Sequence, residues 1–172
     1  EYQTLKALLA NKLGVQASQI TLGNGSENIL ELIIKSFLPA KANAVISEYT
    51  FLTIPILIKS YNANTIIAPT NNFHTDTHAM LQAINTETRM IFLVNPNNPT
   101  GTYTTTDDLL FFLKSVPSDI VIVIDEAYCE YITESDFPNT LAYLQDFPNV
   151  IVTRTFSKAY GLANLRLGYA VS

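Results

Sequence analysis

The chain has 172 residues, 48% hydrophobic and 15% charged, which is enough apolar material for a sizeable packed core and too much for a disordered segment. Its net charge is −5 and its ten basic residues are scattered, which excludes a nucleic-acid-binding face built on counterion release. No apolar run approaches the roughly 20 residues that span a bilayer; the lone Cys129 excludes an internal disulfide, and a reducing, cytoplasmic setting is expected.

The opening, EYQTLKALLANKLG, is polar and amphipathic, unlike a secretory signal, and predicts a helix over 3–13. A short strand follows at 19–22 (QITL). GNGSE, residues 23–27, then opens a helix over 26–38 with Ile29, Ile33 and Phe37 on one stripe. Strands are expected at 43–47 (NAVIS) and 64–68 (NTIIA), with a helical pattern over 50–60 between them. Another covers 76–84, with Asp76 as its N-cap. The strand 89–94 (RMIFLV) runs into NPNNPTG, residues 95–101. TTDD caps a helix over 105–115, with acids in its first turn. The strand 119–124 (DIVIVI) runs into DEAY, residues 125–128, and a short helix is expected over 138–145. The strand 149–153 (NVIVT) leads into RTFSKAYGLANLRLGY, residues 154–169, and a last strand covers 167–171.

Continuous Val/Ile runs suit strands covered on both faces. Their alternation with helices predicts an α/β fold, a three-layer, mostly parallel sheet with helices on both faces. About a dozen residues separate the last two strands, which is short for a crossover helix, so the final strand is expected to run antiparallel. No linker divides the chain, and residues 1–172 are expected to form one domain. The chain opens on Glu1 rather than methionine and stops in or just after a strand, so a fragment of a longer protein is expected.

Open α/β sheets bind ligands beyond the carboxyl ends of their strands. GNGSE places free backbone N–H groups at a helix start, which favours an anion, although a tight turn with Ser26 as N-cap explains the same residues. It lacks the Gly-Lys-Ser/Thr of a phosphate-binding loop, and dinucleotide spacing fails at Ile29-Leu30. In NPNNPTG a rigid turn accounts for Pro96, Pro99 and Gly101 but not for three asparagines, whose amides can donate to a bound oxygen. Asp125 directly follows five apolar residues. It is either an N-cap or surface residue, or a carboxylate holding a cationic partner. Tyr128 is placed to present its phenol to the same ligand. Lys158 has few charged neighbours; held near Arg166, or partly desolvated, it is a usable nucleophile. Thr155, Ser157 and Arg166 supply phosphate-binding groups around it. An anion site, an amine nucleophile and a carboxylate for a cation together match pyridoxal phosphate, which brings a phosphate, an aldehyde and a ring nitrogen to keep protonated.

Other residues are not assigned chemistry. His74 and His78 lack a third ligand and are expected as a surface pair, so no metal is expected. Glu126 is expected at the surface or behind the site, and nothing marks Cys129 as reactive.

The strings RTFSKAYGLANLRLGY, NPNNPTG, DEAY and GNGSENILELIIKSF together resemble the fold-type I pyridoxal-phosphate aminotransferases of class I and II. They occur in the family's order across nearly the whole chain, and they are most similar to its histidinol-phosphate branch. The resemblance implies that Lys158 bonds covalently to pyridoxal 5′-phosphate and later moves a proton, while Asp125 pairs with the ring nitrogen. It implies that Asn98 and Tyr128 hydrogen-bond the ring oxygen, and that Phe51 stacks on the ring. The phosphate would be held by the backbone of Ser26 and Glu27 with Thr155, Ser157 and Arg166. The implied reaction is transamination between histidinol phosphate and 2-oxoglutarate in histidine biosynthesis, by a homodimer acting on a small-molecule amino donor and a 2-oxo acid. An aromatic or broad-specificity aminotransferase, or a threonine-phosphate decarboxylase, would use the same site, and a truncated binding or dimerisation domain would retain it unused. Tyr49 stands where a proline is common and Asn164 where a glycine is usual. Family members are much longer, so the chain is expected to be the large, cofactor-binding domain, without the N-terminal segment and the C-terminal small domain, and inactive alone.

Overall fold

A computed structural model describes residues 2–172; Glu1 lies outside them. The elements in chain order are α1 (Gln3–Leu13), β1 (Ile20–Gly23), α2 (Gly25–Phe37), β2 (Asn43–Ser47), α3 (Thr53–Ser60) and β3 (Asn64–Ala68). A hairpin, β4 (Thr70–Asn71) and β5 (His74–Thr75), then α4 (Thr77–Gln82), β6 (Thr88–Val94) and α5 (Thr106–Ser115) follow. The chain continues with β7 (Val121–Asp125), β8 (Val150–Thr155) and β9 (Gly168–Val171). Seven strands form one sheet in the order β1-β9-β8-β7-β6-β2-β3. As expected, the sheet is mostly parallel: β9 alone opposes its neighbours, pairing antiparallel with both β8 and β1. Among the described residues no helix is long and apolar enough to cross a membrane.

The core lies in two layers. Leu9 of α1, Met80 of α4 and Phe112 of α5 pack with Ile91, Ile122 and Val152 on one face of the sheet. Ile29 and Ile33 of α2 with Ile54 and Ile58 of α3 cover Phe92 and Val123 on the other. Burying such side chains contributes roughly 2 kcal/mol each, so the strands' lack of polar alternation is what the two covered faces require. From β2 the chain steps outward to β3, then returns and proceeds the other way through β6, β7 and β8. The reversal between β2 and β6 leaves a crevice at the carboxyl edge, which is where such sheets bind ligands.

Several elements depart from the sequence-based expectation. The strand expected at 119–124 is β7, whose last residue is Asp125, so the carboxylate belongs to the sheet. The helix expected over 138–145 is only a 3-10 turn at Thr140–Tyr143. Phe37 is 51% exposed, because α2 ends there and Leu38 turns into the core in its place. The helix expected over 50–60 begins at Thr53. The β4–β5 hairpin was not expected. Its tip, Asn72 and Phe73, has two positive φ angles (48° and 65°), a turn that normally advertises itself with Gly or Asn at both positions. Phe73 is held there by stacking on Tyr49, centroids 5.4 Å apart, and by its carbonyl, which accepts from Thr102 Oγ1. The caps are as expected: Asp76 accepts from the Ala79 N–H at 2.9 Å, and Thr105 accepts from the Asp108 N–H.

Candidate active site

At the ends of β7 and β8 the backbone alternation turns Asp125, Thr153 and Thr155 to one face. Asp125 is buried, and the Thr153 hydroxyl donates to its Oδ1 at 2.9 Å. Burial pushes the Asp125 carboxyl up to about 6; the Thr153 bond opposes this, the Glu126 charge adds to it, and the Ala127 N–H and Lys158 oppose it. Beyond β8 the chain bends sharply, and the Ser157 N–H donates to Thr155 Oγ1 at 3.2 Å. Ser157 Oγ is buried yet has no hydrogen-bond partner in the protein. Lys158 follows, exposed, with its Nζ 5.3 Å from the centre of the Tyr128 ring.

Two glycines bring the start of α2 against this bend. Gly25 has φ +82°, and a Cβ there would lie 2.6 Å from Arg166 Nη2. At Gly168, the first residue of the reversed strand β9, a Cβ would collide with the backbone N of Ser26. The first turn of α2, whose N–H groups have no helical partners, is thereby placed beside the Arg166 guanidinium. The turn Ala163–Leu165 presents Arg166, which is itself left-handed (φ 49°) and donates from Nη1 to the Ala163 carbonyl at 3.1 Å. Asn164 therefore does not carry the unusual backbone angle of this turn.

The three asparagines of NPNNPTG divide their work. Asn95, fully buried, accepts from the Thr104 N–H at 2.8 Å and donates to the Thr104 carbonyl at 3.2 Å. Asn97 donates to the Tyr49 carbonyl at 2.7 Å and to Thr100 Oγ1 at 2.8 Å. Both hold the loop, and only Asn98 borders the cleft. Tyr49 is tied through its carbonyl and ring, so it serves the loop without needing a proline.

The structure brings all ten residues singled out from the sequence to one cleft, with Val94 and Ala127 also on its wall. Phe51 lies beyond β2 on one side, and Arg166 and the start of α2 on the other. The cleft is open at its mouth and encloses about 100 Å³ between these side chains. It joins unpartnered donors for an anion at one end to a buried carboxylate, with an amine and a phenol near each other on its wall.

The sequence reading missed two contributors. Thr153 could have been found from Thr155 by the two-residue period of a strand. Gly168 carries no sequence signal until the reversed strand places it against Ser26. Of the two places expected for Glu126, the surface or behind the site, the structure gives the second: it is fully buried against Arg154. Burial pushes the Cys129 thiol to about 12, so it stays a thiol at neutral pH. His78 stacks on Phe111 at 4.7 Å, and among the described residues no cluster of His, Cys, Asp and Glu is placed to hold a metal ion.

The family model of aminotransferase class I and II matches residues 1–172. A histidinol-phosphate aminotransferase 2 of Pseudomonas fluorescens is 49% identical over 168 residues, 98% of this chain and 45% of that protein. One of Methylococcus capsulatus is 48% identical over 174 residues, 98% of this chain and 47% of that protein. The crystal structure of histidinol-phosphate aminotransferase from Sinorhizobium meliloti in complex with pyridoxal-5′-phosphate superposes with a TM-score of 0.93 at 34% identity. It covers 98% of this chain and 46% of that one. The chain thus spans about half the length of the curated relatives it matches.

Proposed function

Because the chain belongs to the class I and II aminotransferases, we propose that its cleft holds pyridoxal 5′-phosphate. The enzyme it serves exchanges the amino group of histidinol phosphate with 2-oxoglutarate, giving imidazole-acetol phosphate and glutamate. The observation that carries this reading is the pairing of chemistries in one cleft: unpartnered anion donors at one end, and Lys158 with the buried Asp125 at the other. The residues fit the cofactor. Ser157 Oγ is buried without a partner, and the close approach at Gly25 and Gly168 brings the start of α2 and Arg166 together on the same cleft wall.

When bound, the cofactor supplies a protonated ring that withdraws electrons from the substrate carbon losing its proton. Asp125, charged above about pH 6, holds the proton on the ring nitrogen. Thr153 fixes the carboxylate through its Oδ1. Lys158 Nζ would be the attachment point and then the base that takes the proton from the substrate Cα and passes it to the cofactor's aldehyde carbon, the shift that moves the amino group. Tyr128 and Asn98 orient the ring oxygen, and Phe51 covers a ring face and excludes water. Ser157, Thr155, Arg166 and the N–H groups of Ser26 and Glu27 grip the phosphate.

The same reading makes residues 1–172 the cofactor-binding part of a cytoplasmic homodimer, with an amino donor and a 2-oxo acid as its small-molecule partners. Its test is an amino-transfer assay on the longest polypeptide that contains this chain. Histidinol phosphate should exceed phenylalanine and threonine phosphate in kcat/KM by at least about tenfold, and the 172-residue chain alone should show no turnover. Equal rates with phenylalanine would remove the substrate assignment, and turnover by the chain alone would remove the domain assignment.

A further inference from the structure

Behind the Asp125–Thr153 contact, on the opposite face of the sheet, lies a charged pair that the reaction above does not use. Strand alternation turns Glu126 and Arg154 away from the cleft, and neither borders it. Glu126 Oε2 accepts from Arg154 Nε at 2.9 Å and from Nη2 at 2.7 Å, the lengths of charge-assisted hydrogen bonds. The Glu126 N–H donates to the Thr153 carbonyl at 2.8 Å, just past the last paired residues of β7 and β8. The two strand ends are therefore tied three times within one residue: by a hydroxyl on the cleft side, by the backbone, and by an ion pair on the far side. Two charges are costly to bury, and an apolar pair of similar volume often packs as stably. Cohesion alone does not call for a buried ion pair next to Asp125.

We propose that Glu126 and Arg154 are a positioning pair for the cleft. Clamped across the ends of β7 and β8, they fix Asp125 and Thr155 where a bound ring and phosphate need them, and they hold the Glu126 carboxylate beside Asp125. The charged and polar groups around them come from several elements. Asp125 feels Thr153 and Lys158 from β8 and the segment after it, and Glu126 beside it. Glu126 faces Arg154, Thr140 and Glu130. Arg154 also faces Cys129 and, on β9, Tyr169, which has Tyr160 near it. Burial pushes the Glu126 carboxyl upward against the pull of Arg154, whose guanidinium keeps its proton throughout. Replacing Glu126 by a neutral residue removes an anion beside Asp125, so Asp125 should lose its proton at lower pH.

The test is a carbon-13 NMR titration of the Asp125 carboxyl in the cofactor-free protein, assigned with Asp125→Asn. The wild-type midpoint is expected at about 6. Glu126→Gln should lower it by about one pH unit. The double variant Glu126→Leu/Arg154→Met, an apolar pair of similar volume chosen to keep the fold, should lower it too. That variant should also bind pyridoxal phosphate about tenfold more weakly. Arg154→Lys, which keeps the charge without the fork, should keep the wild-type midpoint. Only the binding arm rests on the cofactor reading: if the wild type does not bind pyridoxal phosphate, that reading fails and the carboxyl midpoint still decides this one. A midpoint unchanged from the wild type in the double variant overturns the proposal and leaves a pair that merely joins two strands. So does a double variant that binds the cofactor as tightly as a cofactor-binding wild type.

Discussion

Two polar loops leave the same edge of the sheet, and they treat their hydrogen-bonding groups in opposite ways. NPNNPTG spends its side-chain donors on itself: Asn95 closes two bonds with Thr104, and Asn97 donates to Tyr49 and Thr100, with only its Oδ1 left without a partner. The bend after β8, with the start of α2 beside it, leaves groups unpaired: Ser157 Oγ has no partner, and the first N–H groups of α2 face Arg166. Both loops are rich in polar residues at strand exits, and both look like sites in sequence. What marks the binding loop is a donor left over on the wall of the cleft, as Ser157 is, where Asn97 is not.

The contrast is tested most severely at Lys158. It is exposed and its Nζ lies 5.3 Å from the centre of the Tyr128 ring, so Lys158→Ala should leave the unfolding midpoint in urea unchanged while abolishing covalent capture of pyridoxal phosphate. A large loss of stability would mean the lysine belongs to the fold. In the self-satisfied loop the outcome should invert. Asn95→Ala leaves the Thr104 N–H and carbonyl unpaired in the interior and should cost about 4 kcal/mol in urea unfolding. A near-neutral result would undo the division between the loops.

Asp125 lies between the two cases. Its folded pKa, about 6, is above the ordinary 3.8, so the folded state holds the proton more tightly. The stability this provides is present below pH 4 and is lost as pH rises through 6, a change of roughly 3 kcal/mol. Urea unfolding of the cofactor-free protein should find Asp125→Asn equal to wild type near pH 4 and more stable near pH 7. Equal stability at both pH values would contradict the burial argument. The smallest effect is expected at Ser157. Ser157→Ala removes a hydroxyl the fold does not use, so stability should hold while affinity for pyridoxal phosphate, measured by visible absorption, falls about tenfold.

The fold was largely legible because its strands are uninterrupted apolar runs and the short connection before β9 forced a reversal. The site residues were legible as residue types at strand exits. Their economy was not. Nothing in NPNNPTG says that two of its asparagines face inward, since that depends on Thr104 and Tyr49, which come from elsewhere in the chain or from the far side of the turn. Glu126 was left between the surface and a place behind the site for a related reason: a charged residue after a strand is settled only when its partner, Arg154, 28 residues away, is known. The hairpin tip at Phe73 escaped notice because a bulky residue at positive φ is held there by tertiary contacts alone.

The central claim, that the unspent donors and Lys158 form one ligand site, is tested most directly by titrating the protein with pyridoxal phosphate, reducing with borohydride and mapping the modified residue by mass. The account predicts a single adduct, on Lys158. Folded protein that yields no adduct, or label spread over exposed lysines such as Lys35, Lys59 and Lys114, would contradict it.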